Sequence, residues 1–180
     1  MPSAFSSPPI RWARPGVPGT AGLEHRIGGL EKADGTGNIS YDPENHDRMV
    51  NLRAAKVAGI ARDIAPVEVD HQPGARLLVL GWGSTYGPIG AAVRSVRGQG
   101  GKVAQAHLRH LNPFPANLGE VLAAYEQVLV PEMNTGQLRR LVRAEYLVDA
   151  KGYNRVSGLP FKAEELEHVI VEMLEGASLP

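Results

Sequence analysis

The chain has no cysteine in its 180 residues. It can form no disulfide, offer no thiolate nucleophile and give no sulfur ligand to zinc or an iron–sulfur cluster, so any such centre must belong to a partner. An excess of charge of either sign is also missing, because 19 Lys and Arg offset 19 Asp and Glu. That balance removes the basic footprint expected of a protein that binds nucleic acid or an anionic membrane surface. No apolar run approaches the roughly 18 residues needed to cross a bilayer. The opening segment "MPSAFSSPPIRWARPG" lacks the apolar core of a secretory signal. These absences together predict a soluble, cytoplasmic protein with neither nucleic acid nor membrane as a partner.

What is present suits one packed core. Apolar residues make up 43% of the chain, while Gly 21 and Pro 14 imply long irregular stretches. At this length the chain is one ordinary domain with extra residues, or a piece of something larger. The irregular stretches concentrate early: residues 1–45 hold six prolines and show no period of either 2 or 3.6. Such a segment cannot make a core alone and must be held by something it packs on.

From Asn45 the pattern becomes helical. Met49, Leu52, Val57, Ile60 and Ile64 fall close to one stripe, with Asn45 or Asp42 available as a cap. Residues 46–74 thus read as a connecting helix and linker, with "VEVDHQPGA" as a short strand or linker into the next unit. Beyond it, "ARLLVLGW", "KVAQAHL" and "QVLVPEM" are buried strands, separated by the helices "YGPIGAAVRSVRGQG" and "NLGEVLAAYE", the latter with Asn117 as cap. "NTGQLRRLVRAEY" follows as a helix carrying Leu138, Leu141, Val142 and Tyr146 on one face. Asn134 and Gln137 stand at capping-box spacing at its start. "LVDAKGYNRVSG" is irregular with room for one short strand, and "KAEELEHVIVEMLEG" is a terminal helix. Alternation of strand and helix with short connections predicts a doubly wound, mostly parallel α/β sheet over residues 75–176.

The stretch "GWGSTYG" at 81–87 runs from strand to helix, as many phosphate and cofactor sites do. Its glycine spacing is one residue too long for the dinucleotide fingerprint, and the second strand ends without the acid that would bind a ribose. A tight turn that lets the helix pack on the sheet is the better reading, although the amides of Ser84 and Thr85 at a helix start could receive an anion. His107 and His110 in "HLRH" lack the further ligands a metal needs. Glu132, Asn134 and Gln137 cluster where the third strand meets its helix, at the carboxyl edge where open sheets build their sites. Capping accounts for Asn134 and Gln137 and leaves Glu132 unexplained. Arg139, Arg140 and Arg143 read as a solvated face, with a partner contact as the second reading. No catalytic constellation emerges, so Ser84, Thr85, Glu132, Asn134 and Gln137 stand as possible interface or anion contacts.

Five segments, "GLEHRIGGLEKADGTGNISYDPENHDRMVNLRAAKVAGIA", "GWGSTYGPIGAAV", "HLNPFP", "VPEMNTGQL" and "DAKGYNRVSGLPF", taken in order resemble the C-terminal part of the alpha subunit of 2-oxoacid:acceptor oxidoreductases, in particular the 2-oxoglutarate:ferredoxin type. The resemblance implies a transketolase C-terminal-like domain at 75–176, preceded by the tail of a truncated pyrimidine-binding domain at 1–45 and the connecting helix. It implies a thiamine-dependent enzyme that converts 2-oxoglutarate and CoA to succinyl-CoA and CO2 while reducing ferredoxin. A beta subunit would hold thiamine diphosphate, Mg and the iron–sulfur cluster, with no cofactor on this chain alone. The family's upstream thiamine and substrate motifs have no match here, so the resemblance gives this chain no catalytic residue and no activity by itself. The competing reading is a stand-alone nucleotide- or acyl-CoA-binding module using Ser84, Thr85, Glu132 and Asn134. Apolar surface left bare on the 46–64 helix would favour the subunit.

Overall fold

The computed structural model describes residues 28–176 together with Gly19, Ala21 and Gly22. Two compact units divide at residue 60: Met1–Ile60 and Ala61–Pro180.

In the first unit, helix α1 spans Pro43–Gly59, two residues earlier than its periodicity suggests. Asp42 is the cap that forms, its carboxylate accepting the Glu44 N–H at 3.1 Å, with Pro43 preset for the first turn. Asn45 instead ties down the preceding loop. Its Nδ2 donates to the Lys32 carbonyl at 2.9 Å and its Oδ1 accepts the Asp34 N–H at 3.0 Å. Glu31 completes the tie through a bidentate pair with Arg53 at 3.0 and 3.1 Å and a bond with His46 at 2.8 Å. Those hydrogen bonds, the Arg53 guanidinium first and His46 second, lower the Glu31 pKa to about 2. The carboxylate is therefore charged and bridging above about pH 4.5, and the tie is lost as pH falls toward 2. Arg53→Ala is expected to move the Glu31 carboxyl titration up toward the ordinary glutamate range, read by carbon-detected NMR. An unmoved titration would mean that Arg53 does not hold it.

No residue of α1 is buried. Of the predicted stripe, Val57 and Ile60 are 40% and 46% exposed while Met49, Leu52 and Ile64 are half-buried; Val50, off that stripe, is 44% exposed.

The second unit is a five-stranded sheet in the order β1-β3-β2-β4-β5. The strands are β1 Val69–Asp70, β2 Leu77–Trp82, β3 Val103–Leu108, β4 Gln127–Glu132 and β5 Lys151–Asn154. β2, β3, β4 and β5 pair in parallel and β1 pairs antiparallel to β3. Helices α2 Tyr86–Gly98, α3 Leu118–Ala123, α4 Gln137–Tyr146 and α5 Ala163–Leu174 connect or follow them. The sheet is thus mostly parallel and covered on both faces, as the alternation predicts. Side chains alternate along each strand, so two clusters form. Leu77, Val79, Val103 and Leu129 meet Val93 and Val96 of α2 and Leu166 and Ile170 of α5. Leu78, Leu80, Ala104, Leu108, Val128 and Val130 meet Leu122 of α3 and Leu138 and Val142 of α4.

Three details differ from expectation. The α/β unit begins before residue 75, because β1 extends the sheet and Val67 is buried in its core. Asn117 stands at the N-cap of α3 without a side-chain cap bond. Its amide accepts the Val67 N–H at 2.8 Å and donates to the Val67 carbonyl at 3.1 Å, sewing the incoming segment to the sheet. Leu141 lies 51% exposed and so does not join the buried face of α4.

Candidate functional site

Sequential connections run from β2 to β3 on one side and from β3 to β4 on the other, so the order reverses around β2. Open α/β sheets bind ligands outside the carboxyl ends of their strands at such a reversal. Here those ends are Gly81-Trp82 of β2 and Glu132 of β4, which brings two of the quoted motifs together.

Gly81 sits in a tight space: a Cβ there would lie 2.6 Å from Ile89 Cδ1 and 3.1 Å from both His107 Nδ1 and Thr85 Oγ1, so those side chains would have to shift. Gly83 follows with φ +58°, which glycine adopts without the strain a side chain brings. A 3-10 turn over Gly83–Thr85 then leads into α2. Thr85 is buried, its hydroxyl donating to the Trp82 carbonyl at 2.8 Å and accepting the Trp82 N–H at 3.2 Å. Its side chain closes the turn, while Ser84 is exposed.

Glu132, unexplained from sequence, is fully buried at 0% exposure. Its carboxylate accepts four N–H groups: Leu138 N at 2.8 Å, Arg139 N at 3.0 Å, Asn134 Nδ2 at 3.1 Å and Trp82 Nε1 at 3.2 Å. Two of these belong to the first turn of α4, where backbone amides lack intrahelical partners and the helix dipole favours negative charge. Asn134 Oδ1 takes two more N–H groups, Gly136 at 2.7 Å and Gln137 at 2.9 Å. The expected Asn134–Gln137 capping box is thereby replaced. Gly136, in the left-handed region at φ +85°, is the N-cap residue, Asn134 and Glu132 satisfy the amides, and Gln137 is exposed.

Side chains of the protein itself thus meet across the reversal. The Trp82 indole crosses from β2 to the Glu132 carboxylate, and α4's N–H groups are already taken by internal acceptors. Of the five residues singled out from sequence, Glu132, Asn134 and Thr85 serve the turn and helix start, while Ser84 and Gln137 face solvent. Of the three arginines, Arg143 binds Asp149 and donates to the Ala150 carbonyl at 3.1 Å. Lys151 first and Arg143 second depress the Asp149 pKa.

An open cleft lies beside this edge, between the start of α2, strand β3 and residues 65–70. It encloses about 680 Å³, and Tyr86, Gln105, His107, Arg109 and His110 are among its lining residues. Sequence reasoning passed over Tyr86, Gln105 and Arg109. The available signal was two polar residues, Gln105 and His107, alternating on one face of an otherwise apolar strand. Burial, and secondly Arg109, push the His107 pKa below the ordinary histidine value, so its ring is neutral at pH 7. Among the described residues no set of three or more His, Cys, Asp or Glu could hold a metal ion.

Residues 75–169, more than half the chain, match the family described as pyruvate:ferredoxin oxidoreductase core domain II. The chain belongs to that family. The core domain II match covers all four parallel strands and most of α5. Beyond the domain, the chain is 56% identical over 161 residues to the 2-oxoglutarate oxidoreductase subunit KorA of Mycobacterium tuberculosis, covering 89% of this chain and 24% of that protein. It is 29% identical over 143 residues to the 2-oxoglutarate synthase subunit KorA of Methanocaldococcus jannaschii, covering 77% and 38%. Among solved structures it is similar to the 2-oxoglutarate:ferredoxin oxidoreductase of Magnetococcus marinus with 2-oxoglutarate, coenzyme A and succinyl-CoA bound. That match has a TM-score of 0.78 at 32% identity and covers 87% of this chain and 28% of the other. The chain spans about a quarter of the length of the mycobacterial relative.

Proposed function

We propose that this chain is the C-terminal part of the alpha subunit of a thiamine-dependent 2-oxoacid:ferredoxin oxidoreductase acting on 2-oxoglutarate, and that it supplies packing and subunit contacts. The observation that carries the reading is the 56% identity over 161 residues to the mycobacterial subunit. It extends beyond the core domain into the first unit, so it reflects a shared chain order and not merely a shared fold.

The local chemistry supports a supporting role. Glu132, Asn134 and Thr85 are engaged in internal hydrogen bonds, and without cysteine the chain has no ligand for a cluster of the thiolate kind. Thiamine diphosphate, Mg and the iron–sulfur cluster then belong to a beta subunit, with ferredoxin and CoA engaging the assembled enzyme. The cofactors supply the hard chemistry and the protein supplies placement. The exposed Val50 and Val57 of α1 and Ile60 just after it suit a segment that packs on another part of such an assembly. The chain on its own is then inactive. Residues 1–45 correspond to the tail of a pyrimidine-binding domain and the α/β unit to its transketolase C-terminal-like neighbour. No described helix is long and apolar enough to cross a membrane, in keeping with an enzyme that works on soluble substrates.

The test is exchange. The 161 matched residues of the mycobacterial subunit are replaced by those of this chain, the chimera is produced with its partner subunit, and 2-oxoglutarate-dependent dye reduction is measured. Activity within about tenfold of the parent, a change of about 1.4 kcal/mol in barrier, is expected. A chimera that assembles yet reduces no dye would contradict the reading.

A further inference from the structure

The cleft beside β3 is not used by the arrangement above, and its lining is unbalanced. Gln105 Oε1 is buried and has no hydrogen-bond partner among the described residues. A buried acceptor without a donor costs free energy that a fold ordinarily avoids. It lies under α2 close to Gly90, where a Cβ would approach the Gln105 amide to 3.8 Å. Further out, Arg109 and His110 line the same cleft, exposed and with no ion pair among the described residues. Tyr86, 63% exposed, meets the His107 ring edge to face at 5.0 Å between centroids, making an aromatic wall. Of the acids, Asp70 is committed to Arg97 by contacts of 2.9 and 3.0 Å. Glu68, also among the lining residues, is a further acceptor. An orphan acceptor at depth, an unpaired cation outside it and aromatic rings between them call for a molecule with a donor at one end and an oxyanion at the other.

We propose that this cleft binds a small organic phosphate whose body carries a hydroxyl or amine. The phosphate engages Arg109 and His110, the donor reaches Gln105 Oε1, and the body lies against Tyr86 and His107. A nucleoside monophosphate has these parts, and at about 680 Å³ the cleft is within the range of small-ligand sites. The inference rests on the cleft alone and not on the family reading, so either can fail without the other.

The experiment is calorimetric titration of the full chain with three probes: AMP, adenosine and inorganic phosphate. AMP is expected to bind with Kd below about 1 mM and each half alone at least tenfold more weakly. Arg109→Ala should weaken AMP at least tenfold while leaving adenosine unchanged. Gln105→Leu should weaken AMP and adenosine while leaving inorganic phosphate unchanged. Absence of AMP binding at 10-fold higher concentration, or affinity indifferent to both substitutions, overturns the proposal. Both sites are at a cleft wall, and a urea melt of each variant checks that the unit remains folded.

Discussion

Glu132→Ala is expected to destabilise the α/β unit by about 3–5 kcal/mol, the upper part of the range for a single substitution and one reached when a buried hydrogen-bond network is broken. Four donors lose their acceptor together: Leu138 N, Arg139 N, Asn134 Nδ2 and Trp82 Nε1. Each buried donor left unpaired costs about 1–3 kcal/mol, reduced where water enters the space vacated by the side chain. Since whole domains are stable by only about 5–15 kcal/mol, this single change removes a large share. Glu132→Gln keeps one oxygen but turns an amide NH2 toward backbone N–H groups, and a smaller loss of about 1–3 kcal/mol follows. The measurement is urea unfolding followed by tryptophan fluorescence, which Trp82 reports directly because its indole contacts Glu132. A lower midpoint at unchanged slope is expected for both variants, with alanine the worse. Equal stability of all three proteins would mean that the carboxylate does not hold the helix start.

The second large effect separates the two kinds of leucine that sequence periodicity treats alike. Leu166 of α5 is 0% exposed inside the cluster formed with α2 and the sheet, whereas Leu141 of α4 is 51% exposed. Leu166→Ala removes buried methyl groups and leaves a cavity, with a loss of about 2–5 kcal/mol expected. Leu141→Ala removes little that is buried and is expected to stay within about 0.5 kcal/mol. Comparable losses at both sites would mean that Leu141 is covered in solution, and would point to association through the α4 face.

These two residues also show where the sequence is legible and where it stops. Strand and helix existence follows from apolar runs and from 3.6-residue periods, because burial on the sheet faces is the main demand on those segments. The runs 77–82, 103–108 and 127–132 are strands at nearly the positions their composition suggests. Leu141 escapes such reasoning because a periodic stripe records a face of a helix, not how much of that face the sheet covers. Glu132 escapes it for another reason. Its partners come from Trp82, 50 residues earlier, and from amides six and seven residues later. The nearer pairing at 134 and 137 is locally plausible, but a carboxylate supplied by the end of β4 reaches the helix amides first. Asn117 repeats the lesson, since its amide binds Val67 from 50 residues away. Side chains that bridge distant segments leave no periodic trace, and the 680 Å³ cleft, assembled from residues 65 to 115, leaves little more than the polar alternation of Gln105 and His107. The functional assignment has a different source again. It lies in the order of many segments along the chain, and no single motif among them carries chemistry that would have sufficed.

The most direct test of the subunit assignment is capture of the tagged chain from a lysate of its source organism, with mass spectrometry of whatever co-purifies. The account predicts recovery of a thiamine- and cluster-binding beta subunit in stoichiometric amount, retained through a salt wash that strips rim electrostatics. Recovery of the folded chain with no such subunit, in cells shown to contain it, would contradict the account.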